Sequence, residues 1–175
     1  PLWHSASENP LQQRSRFVLL RNAVVTGMPG TGNAQVLLPD DVSETTVSAL
    51  QQLPPFQVHP RNPLEQKVTF SRARGKGARP TRSIEGPVLL LPPHTPDNLF
   101  HLHNDLVMKV AWLLRTNSLA PAETTLLLFQ SGVAGRAHLF HLLERILKQV
   151  IHPAESLCDR GPVSFRQLYW SPVMS

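Results

Sequence analysis

The stretch PVLLLPPHTPDNLFHLHNDLVMKVAWLLR, residues 87–115, decides the fold that the sequence predicts. It opens on a short continuous apolar run (87–92), which is typical of a strand buried on both faces of a sheet. From residue 97 onward the apolar residues recur at three- and four-residue steps, which predicts a helix over 97–115. A buried strand that leads into a helix indicates the first half of a β-α-β unit.

The residues that follow repeat this order. TTLLLF (124–129) predicts a second buried strand, residues 136–150 predict a second helix, and PVSFRQLYW (162–170) predicts a third strand by its alternation. The apolar stripe of the second helix consists of Leu139, Leu142, Leu143, Ile146 and Val150. Because such an order gives parallel strands with right-handed crossovers, we expect an α/β fold: a Rossmann-like parallel sheet with flanking helices over 87–175.

Residues 1–86 have a different pattern, and we expect them to add N-terminal strands and irregular Pro-rich and basic loops to the same domain. Ser43 predicts the start of a short helix over 43–52. Prolines at both ends and inside 54–63 predict irregular chain there. The strands predicted are FVLLRNAVVTG (17–27), as one strand or as a pair with a tight turn, AQVLLP (34–39) and KVTFS (67–71).

Composition and charge limit the classes of protein. The 175 residues are 41% hydrophobic, enough for one domain with a core. No apolar run approaches the roughly 20 residues that span a bilayer, so we expect a soluble chain, with any membrane anchor outside it. The only cysteine, Cys158, excludes an intrachain disulfide and a multi-cysteine zinc site.

The net charge of +5 comes largely from one basic run, SRARGKGARPTR (71–82). This run has neither aromatic residues for stacking nor a recognition helix, so we expect no nucleic-acid partner. Two interpretations remain, a solvated loop or a segment that binds phosphate or another polyanion. The cationic residues are Arg72, Arg74, Lys76, Arg79 and Arg82.

The residues that can carry chemistry lie in HTPDNLFHLHND (94–105). His101 and Asp105 are four residues apart, so both lie on one face of the predicted helix, just after a strand whose carboxyl edge is a usual ligand site. The carboxylate can orient the imidazole, which then accepts a proton from a hydroxyl, or Asp105 is itself the base. Alternatively the two groups only hydrogen-bond on a helix surface. No metal site is predicted there.

The segment from Asn98 to Asp105, N-L-F-H-L-H-N-D, resembles an element of glycosyltransferase family 61 that runs Asn, two apolar or aromatic residues, His, any three residues, Asp. The setting is also similar, since that element follows an apolar strand and precedes an apolar helix. GPVSFRQLYW (161–170) resembles a further family strand, with Ser164 where the family often has cysteine. The family includes protein O-linked mannose and EGF-domain O-GlcNAc transferases and plant xylosyl- and arabinosyltransferases.

The resemblance covers about 87–170 and implies an inverting glycosyltransferase. The donor would be a nucleotide sugar, with a UDP-sugar expected, and the acceptor a hydroxyl of a protein or glycan. His101 and Asp105 would be catalytic and Asn98 would bind substrate. The resemblance also implies a GT-B architecture with two Rossmann-like domains, of which this chain supplies the acceptor-side half and the donor-binding half lies beyond Ser175. It further implies the lumen of the Golgi or the endoplasmic reticulum.

Other residues and other functions stay open at this point. Arg136 opens the second predicted helix, and it either contacts a phosphate or an acidic acceptor or is solvated. His138 and His141 are either ligands or partly buried polar residues of that helix. Two alternative functions remain: a non-enzymatic α/β binding module that holds an acidic partner with the basic run, and an inactive member of the family.

Overall fold

The computed structural model describes residues 17–28, 34–52, 56–59, 62–66, 68–75, 78–91, 106–128 and 137–170. Its strands and helices, in chain order, are β1 (Val18–Gly27), β2 (Gln35–Leu38), α1 (Glu44–Gln51), β3 (Phe56–His59), β4 (Asn62–Gln66), β5 (Thr69–Arg72), β6 (Arg82–Leu90), α2 (Met108–Thr116), β7 (Thr125–Leu127), α3 (Ala137–Ile146), β8 (Gln149–Ile151) and β9 (Val163–Trp170). Short 3₁₀ turns occupy Pro121–Glu123 and Ala154–Cys158. None of the helices in these ranges is both long enough and apolar enough to cross a membrane.

Seven strands form one sheet in the order β5-β2-β1-β9-β6-β7-β8, and β3 and β4 form a separate hairpin. Strands β6 to β9 are parallel to one another, and so are β2 and β5. Strand β1 is antiparallel to both of its neighbours, β2 and β9. The sheet is thus mostly parallel and takes strands from both sides of residue 87. The prediction of an α/β fold is confirmed.

Hydrophobic clusters cover both faces of the sheet. One contains Val47 and Leu50 of α1, and the other contains residues of α2 and α3. Strand β6 divides between them, because Val88 and Leu90 belong to the first cluster and Leu89 belongs to the second. Since successive strand residues point to opposite faces, β6 is buried on both faces, as its continuous apolar run predicted.

Several predicted boundaries are confirmed. Strand β1 runs unbroken over Val18–Gly27 rather than as a pair. Helix α1 begins after Ser43, whose Oγ accepts a hydrogen bond of 3.1 Å from the backbone N–H of Thr46. This is the usual N-cap contact, which satisfies one of the free N–H groups of the first turn. The strands predicted near 34–39, 67–71 and 162–170 are also present.

The predicted second helix is wrong at its C-terminal end. Helix α3 ends at Ile146, and Val150 lies in strand β8, where it pairs with Leu126. The backbone N–H of Lys148 donates to the carbonyl oxygens of Pro121 and Thr124, which turns the chain into the sheet. The predicted apolar stripe is also partly wrong. Leu143 is buried, together with Leu147 after the helix, whereas Leu142 and Ile146 are each 47% exposed.

The prediction of irregular chain around 54–63 is wrong in part, because this region contains the β3–β4 hairpin. Phe56 pairs with Gln66 and Gln57 with Glu65. Pro63 lies within β4. In a two-stranded hairpin each strand has a free edge, and a proline is tolerated there because its missing N–H is not needed for pairing.

Gly86 lies in β6 where another part of the backbone comes very close. A Cβ atom at this position would lie 2.7 Å from the carbonyl oxygen of Glu123. That oxygen belongs to the 3₁₀ turn before β7, so it cannot move aside as a flexible side chain can. We expect Gly86→Ala to lower the free energy of unfolding by about 1–3 kcal/mol, the usual cost of overpacking, as measured by urea unfolding.

A second glycine provides the control for this prediction. Gly75 has φ of +64° and open space around the position of a Cβ. Asparagine tolerates this left-handed conformation better than other non-glycine residues, so Gly75→Asn should destabilise the protein less than Gly86→Ala. If Gly86→Ala were as stable as Gly75→Asn, the close contact with Glu123 would not be a packing constraint.

Candidate functional site

The four site residues predicted from the sequence, Asn98, His101, Asp105 and Arg136, lie outside the residues that the structure describes. The same holds for Lys76 and for the side chain of His138. The parts of the chain on both sides are described. Strand β6 ends at Leu90 and α2 begins at Met108, so the segment with His101 and Asp105 connects these two elements.

The carboxyl end of β6 lies between two other parallel strands. Leu90 pairs with Leu127 of β7 on one side and with Trp170 of β9 on the other. Across the sheet, β7 and then β8 lie on one side of β6, whereas β9 lies on its other side. The strand order therefore changes direction beside β6. In open α/β sheets, ligands bind in the crevice outside the carboxyl ends of strands at such a point.

Part of the charge of the basic run is neutralised. Arg72 Nη2 donates a hydrogen bond to Glu44 Oε1, and Arg74 Nη2 lies 3.5 Å from the same oxygen. The backbone N–H of Gly75 also donates to Asp40 Oδ2, at 3.5 Å. The described residues Arg72 to Gly75 thus fold back on the acidic start of α1, which favours the solvated loop. Polyanion binding stays a prediction, and its test is binding that salt weakens and Arg79→Ala reduces.

His141 is an exposed residue of α3. Its side chain is 72% exposed, and Nδ1 lies 3.1 Å from Glu144 Oε2, one turn further along the helix. The prediction of a partly buried residue is wrong for His141, because Leu143 and not His141 faces the core. Within the described ranges no group of three or more His, Cys, Asp or Glu side chains is placed to hold a metal ion.

A polar cavity of about 480 Å³ opens on the three central strands, where the sequence analysis predicted no site. It is lined by Arg21 and Asn22 of β1, Ser83 and Glu85 of β6, and Ser164, Phe165 and Arg166 of β9. Ser164 Oγ donates to Ser83 Oγ at 2.8 Å, and Ser83 Oγ donates to Glu85 Oε1 at 2.8 Å. Arg166 Nη1 lies 3.7 Å from Glu85 Oε2. The lining thus combines cations, a carboxylate and hydroxyls.

The backbone is irregular in the strands beside this cavity. Asn22 has φ of 51°, a left-handed conformation that is uncommon within a strand. Strand β6 has one residue more than β9 between Ile84 and Pro87, which is a β-bulge. The polar pair Arg21-Asn22 inside an apolar strand was one local signal in the sequence. In β6 the pair Gly86-Pro87 is a further signal, because glycine and proline inside a strand often mark a bulge.

No protein-family model matches this sequence, and no curated protein matches it.

Cys158 lies near a second cavity, of about 620 Å³, at the start of β9. Burial is the main cause that raises the pKa of its thiol to about 11, and the negative charge of Asp159 raises it further, against a backbone hydrogen bond at Val163 that lowers it. The Sγ atom lies 3.5 Å from the carbonyl oxygen of Val25, to which it donates. Because the thiolate is the reactive form, Cys158 is not an activated nucleophile at neutral pH.

We expect the Cys158 thiol at pH 8 to react with iodoacetamide about 100-fold more slowly in the folded protein than in the urea-unfolded protein. The reason is that a pKa of about 11 in place of 9.0 lowers the thiolate fraction by about that factor. Mass spectrometry of the alkylated chain gives both rates. Asp159→Asn removes a repelling charge and should speed the reaction of the folded protein only. Equal rates in the folded and unfolded protein would contradict the burial of the thiol.

The same pKa predicts a loss of stability in alkali. Above about pH 9 the unfolded thiol loses its proton, whereas the folded thiol keeps its proton up to about pH 11. The unfolded state is therefore increasingly favoured across this window. Burial also raises the pKa of Tyr169, which acts in the same direction. Urea unfolding at pH 8 and pH 10.5 should show the decrease, and Cys158→Ser should make it smaller.

Proposed function

We propose that this chain is the acceptor-side half of an inverting glycosyltransferase related to family 61. It would take part in moving a sugar from a nucleotide sugar, most simply a UDP-sugar, to a hydroxyl of a protein or glycan. The observation that carries the proposal is the element Asn98 to Asp105 in the connection that follows the carboxyl end of β6. That connection starts where the strand order changes direction, which is where α/β enzymes bind their ligands.

The assignment to one half of a GT-B enzyme belongs to this proposal, and the strand order supports it. Counted from β6 in chain order, the parallel strands have the spatial order β8-β7-β6-β9. This is the 3-2-1-4 arrangement of doubly wound nucleotide-binding folds. Strands β1, β2 and β5 extend the sheet beyond β9. A second domain of the same kind would hold the nucleotide, and the enzyme would work in the lumen of the Golgi or the endoplasmic reticulum.

In the proposed reaction His101 or Asp105 accepts the proton of the acceptor hydroxyl. The hydroxyl oxygen forms a bond to the anomeric carbon from the side opposite the nucleotide. The bond from that carbon to the diphosphate oxygen breaks, its electron pair leaves with the diphosphate, and the configuration inverts. If 97–105 is helical, as predicted, the spacing of four residues lets the carboxylate orient the imidazole.

The two binding residues have simpler roles in this proposal. Asn98 precedes His101 by three residues, so on a helix its amide would lie on the same side and could hydrogen-bond the acceptor. Arg136 directly precedes α3 in the sequence, and its guanidinium would contact a phosphate or an acidic acceptor. A metal ion is not part of the proposed chemistry.

The test is a transfer assay with the natural protein that contains this chain. It uses a panel of UDP-sugars with hydroxyl-bearing peptide and glycan acceptors, and mass spectrometry detects the product. We expect one donor to be used and NMR of the product to show an inverted anomeric configuration. Retention of configuration would contradict the proposed single displacement. Nucleotide-sugar binding without transfer would instead identify an inactive family member. If the protein neither binds a nucleotide sugar nor transfers a sugar, the proposal as a whole is contradicted.

A further inference from the structure

Two arginines from different strands line the cavity between β1, β6 and β9. They come together because β1 and β9 are antiparallel neighbours, with Arg21 opposite Gln167, the residue after Arg166. Among the described residues that line it, Glu85 is the only acidic one, so two arginines and one glutamate leave an excess of one positive charge there. None of the carboxylates in the described part of the chain forms an ion pair with Arg21.

The ion pair between Arg166 and Glu85 leaves the guanidinium of Arg166 able to bind a ligand. The two groups are 3.7 Å apart, with side chains 67% and 69% exposed, and ion pairs of this kind interact weakly. A guanidinium has five N–H donors, most of which this single contact leaves for a ligand. Glu85 is held independently by the hydrogen bond from Ser83, which in turn accepts one from Ser164.

The irregular backbone directs polar side chains to this cavity. In a regular strand successive side chains point to opposite faces, yet Arg21 and Asn22 both line the cavity. The left-handed conformation of Asn22 allows this, and Leu20 and Ala23, three residues apart, consequently both belong to the first hydrophobic cluster. The bulge in β6 follows Ser83 and includes Glu85. Bulges and strained residues concentrate beside binding sites because they aim side chains that a regular strand would direct elsewhere.

We propose that this cavity binds a small oxyanion, a phosphate or carboxylate group, between the guanidinium groups of Arg21 and Arg166. A guanidinium is planar and donates two parallel hydrogen bonds, which match either group. The Ser164 hydroxyl lies beside the same space and can accept a hydrogen bond from a hydroxyl on the ligand. The volume is that of a site for a small molecule. The proposal is independent of sugar transfer, because none of these residues belongs to the element around His101.

The experiment is an NMR titration of the 175-residue chain with inorganic phosphate and, separately, with succinate, at constant ionic strength. We expect saturable shifts of the backbone amide signals of Ser83 and Ser164. Saturation with phosphate alone, succinate alone or both supports the site and identifies the group that it takes. Arg21→Gln and Arg166→Gln should each weaken binding at least about tenfold, the effect of losing a charge-assisted hydrogen bond.

Two further variants distinguish a specific binding site from nonspecific electrostatic attraction to a positively charged protein. Arg145→Gln removes an exposed arginine of α3 that does not line the cavity and should leave binding unchanged. Arg166→Lys keeps the charge but loses the paired hydrogen bonds, so its affinity should lie between wild type and Arg166→Gln. Circular dichroism checks that each variant is folded. Shifts that do not saturate, or equal binding by wild type and the Arg21→Gln, Arg166→Gln double variant, would overturn the proposal.

Discussion

His101→Ala should lower the rate of sugar transfer by about 10²- to 10⁴-fold, the usual contribution of a general base. Without the imidazole, the acceptor hydroxyl attacks while it still carries its proton. Alternatively, Asp105 accepts the proton without the help of His101. The assay compares kcat/KM of the variant with that of the natural protein, with a fixed donor and acceptor. Unchanged turnover would remove His101 from the mechanism.

Asp105→Asn shows which of the two groups is the base. If His101 accepts the proton, the neutral amide still holds the ring but no longer stabilises its charge, so transfer decreases less than in His101→Ala. If Asp105 accepts the proton, the order of the two variants is reversed. His141→Ala is the matched control. This histidine is exposed on α3, so its removal should leave the rate of sugar transfer unchanged. A loss in His141→Ala as large as that in His101→Ala would indicate a general effect of histidine removal.

Trp170→Ala should have the largest effect on stability, about 3–5 kcal/mol in the free energy of unfolding. Trp170 is 2% exposed and lies at the carboxyl end of β9, between Val18 and Leu90. Its ring meets that of Phe70 edge to face, with centroids 6.1 Å apart. Truncation leaves a space among strands that are fixed by pairing on both sides, so neighbouring side chains can fill it only in part.

Trp112→Ala provides a comparison for this prediction. Trp112 is only partly buried against the second cluster, where its ring packs against Phe17 with centroids 5.8 Å apart. Its truncation should destabilise the protein less, because solvent can reach the space that it leaves. Urea unfolding gives both free energies. A loss below about 1 kcal/mol for Trp170→Ala, far under the usual range, would contradict its place in the core.

The sequence was most informative where one residue pattern sufficed to define an element. The continuous apolar run at 87–92 predicted a strand buried on both faces, and Ser43 predicted the start of α1. Both predictions are confirmed. The sequence failed where two elements share a pattern. Val150 continues the helical spacing of α3, yet it pairs with Leu126 in the sheet, and a stripe of apolar residues cannot indicate where a helix ends and a short strand begins.

The two candidate sites also differ in how far the sequence alone could predict them. The element around His101 was identified from the sequence because its residues are neighbours in the chain, and it stays a prediction. The cavity at Arg21, Glu85 and Arg166 could not be foreseen, because these residues are far apart in the sequence and meet only through the strand order. The left-handed Asn22 and the bulge in β6 have local signals, an asparagine and the pair Gly86-Pro87, but these signals do not show which side chains the strands bring together.

The central position of β9 has a consequence for how the protein folds. In the described sheet, β9 alone joins the group β5-β2-β1 to the group β6-β7-β8, and it pairs residues as distant in the chain as Val18 and Trp170. On the ribosome, the two groups can form early but have no shared partner until residues 163–170 have left the exit tunnel. Closing so long a loop carries a large entropic cost, so we expect docking of β9 to be the slow step of folding. Pulse-labelled hydrogen exchange should then find the amides between β1 and β9 protected last.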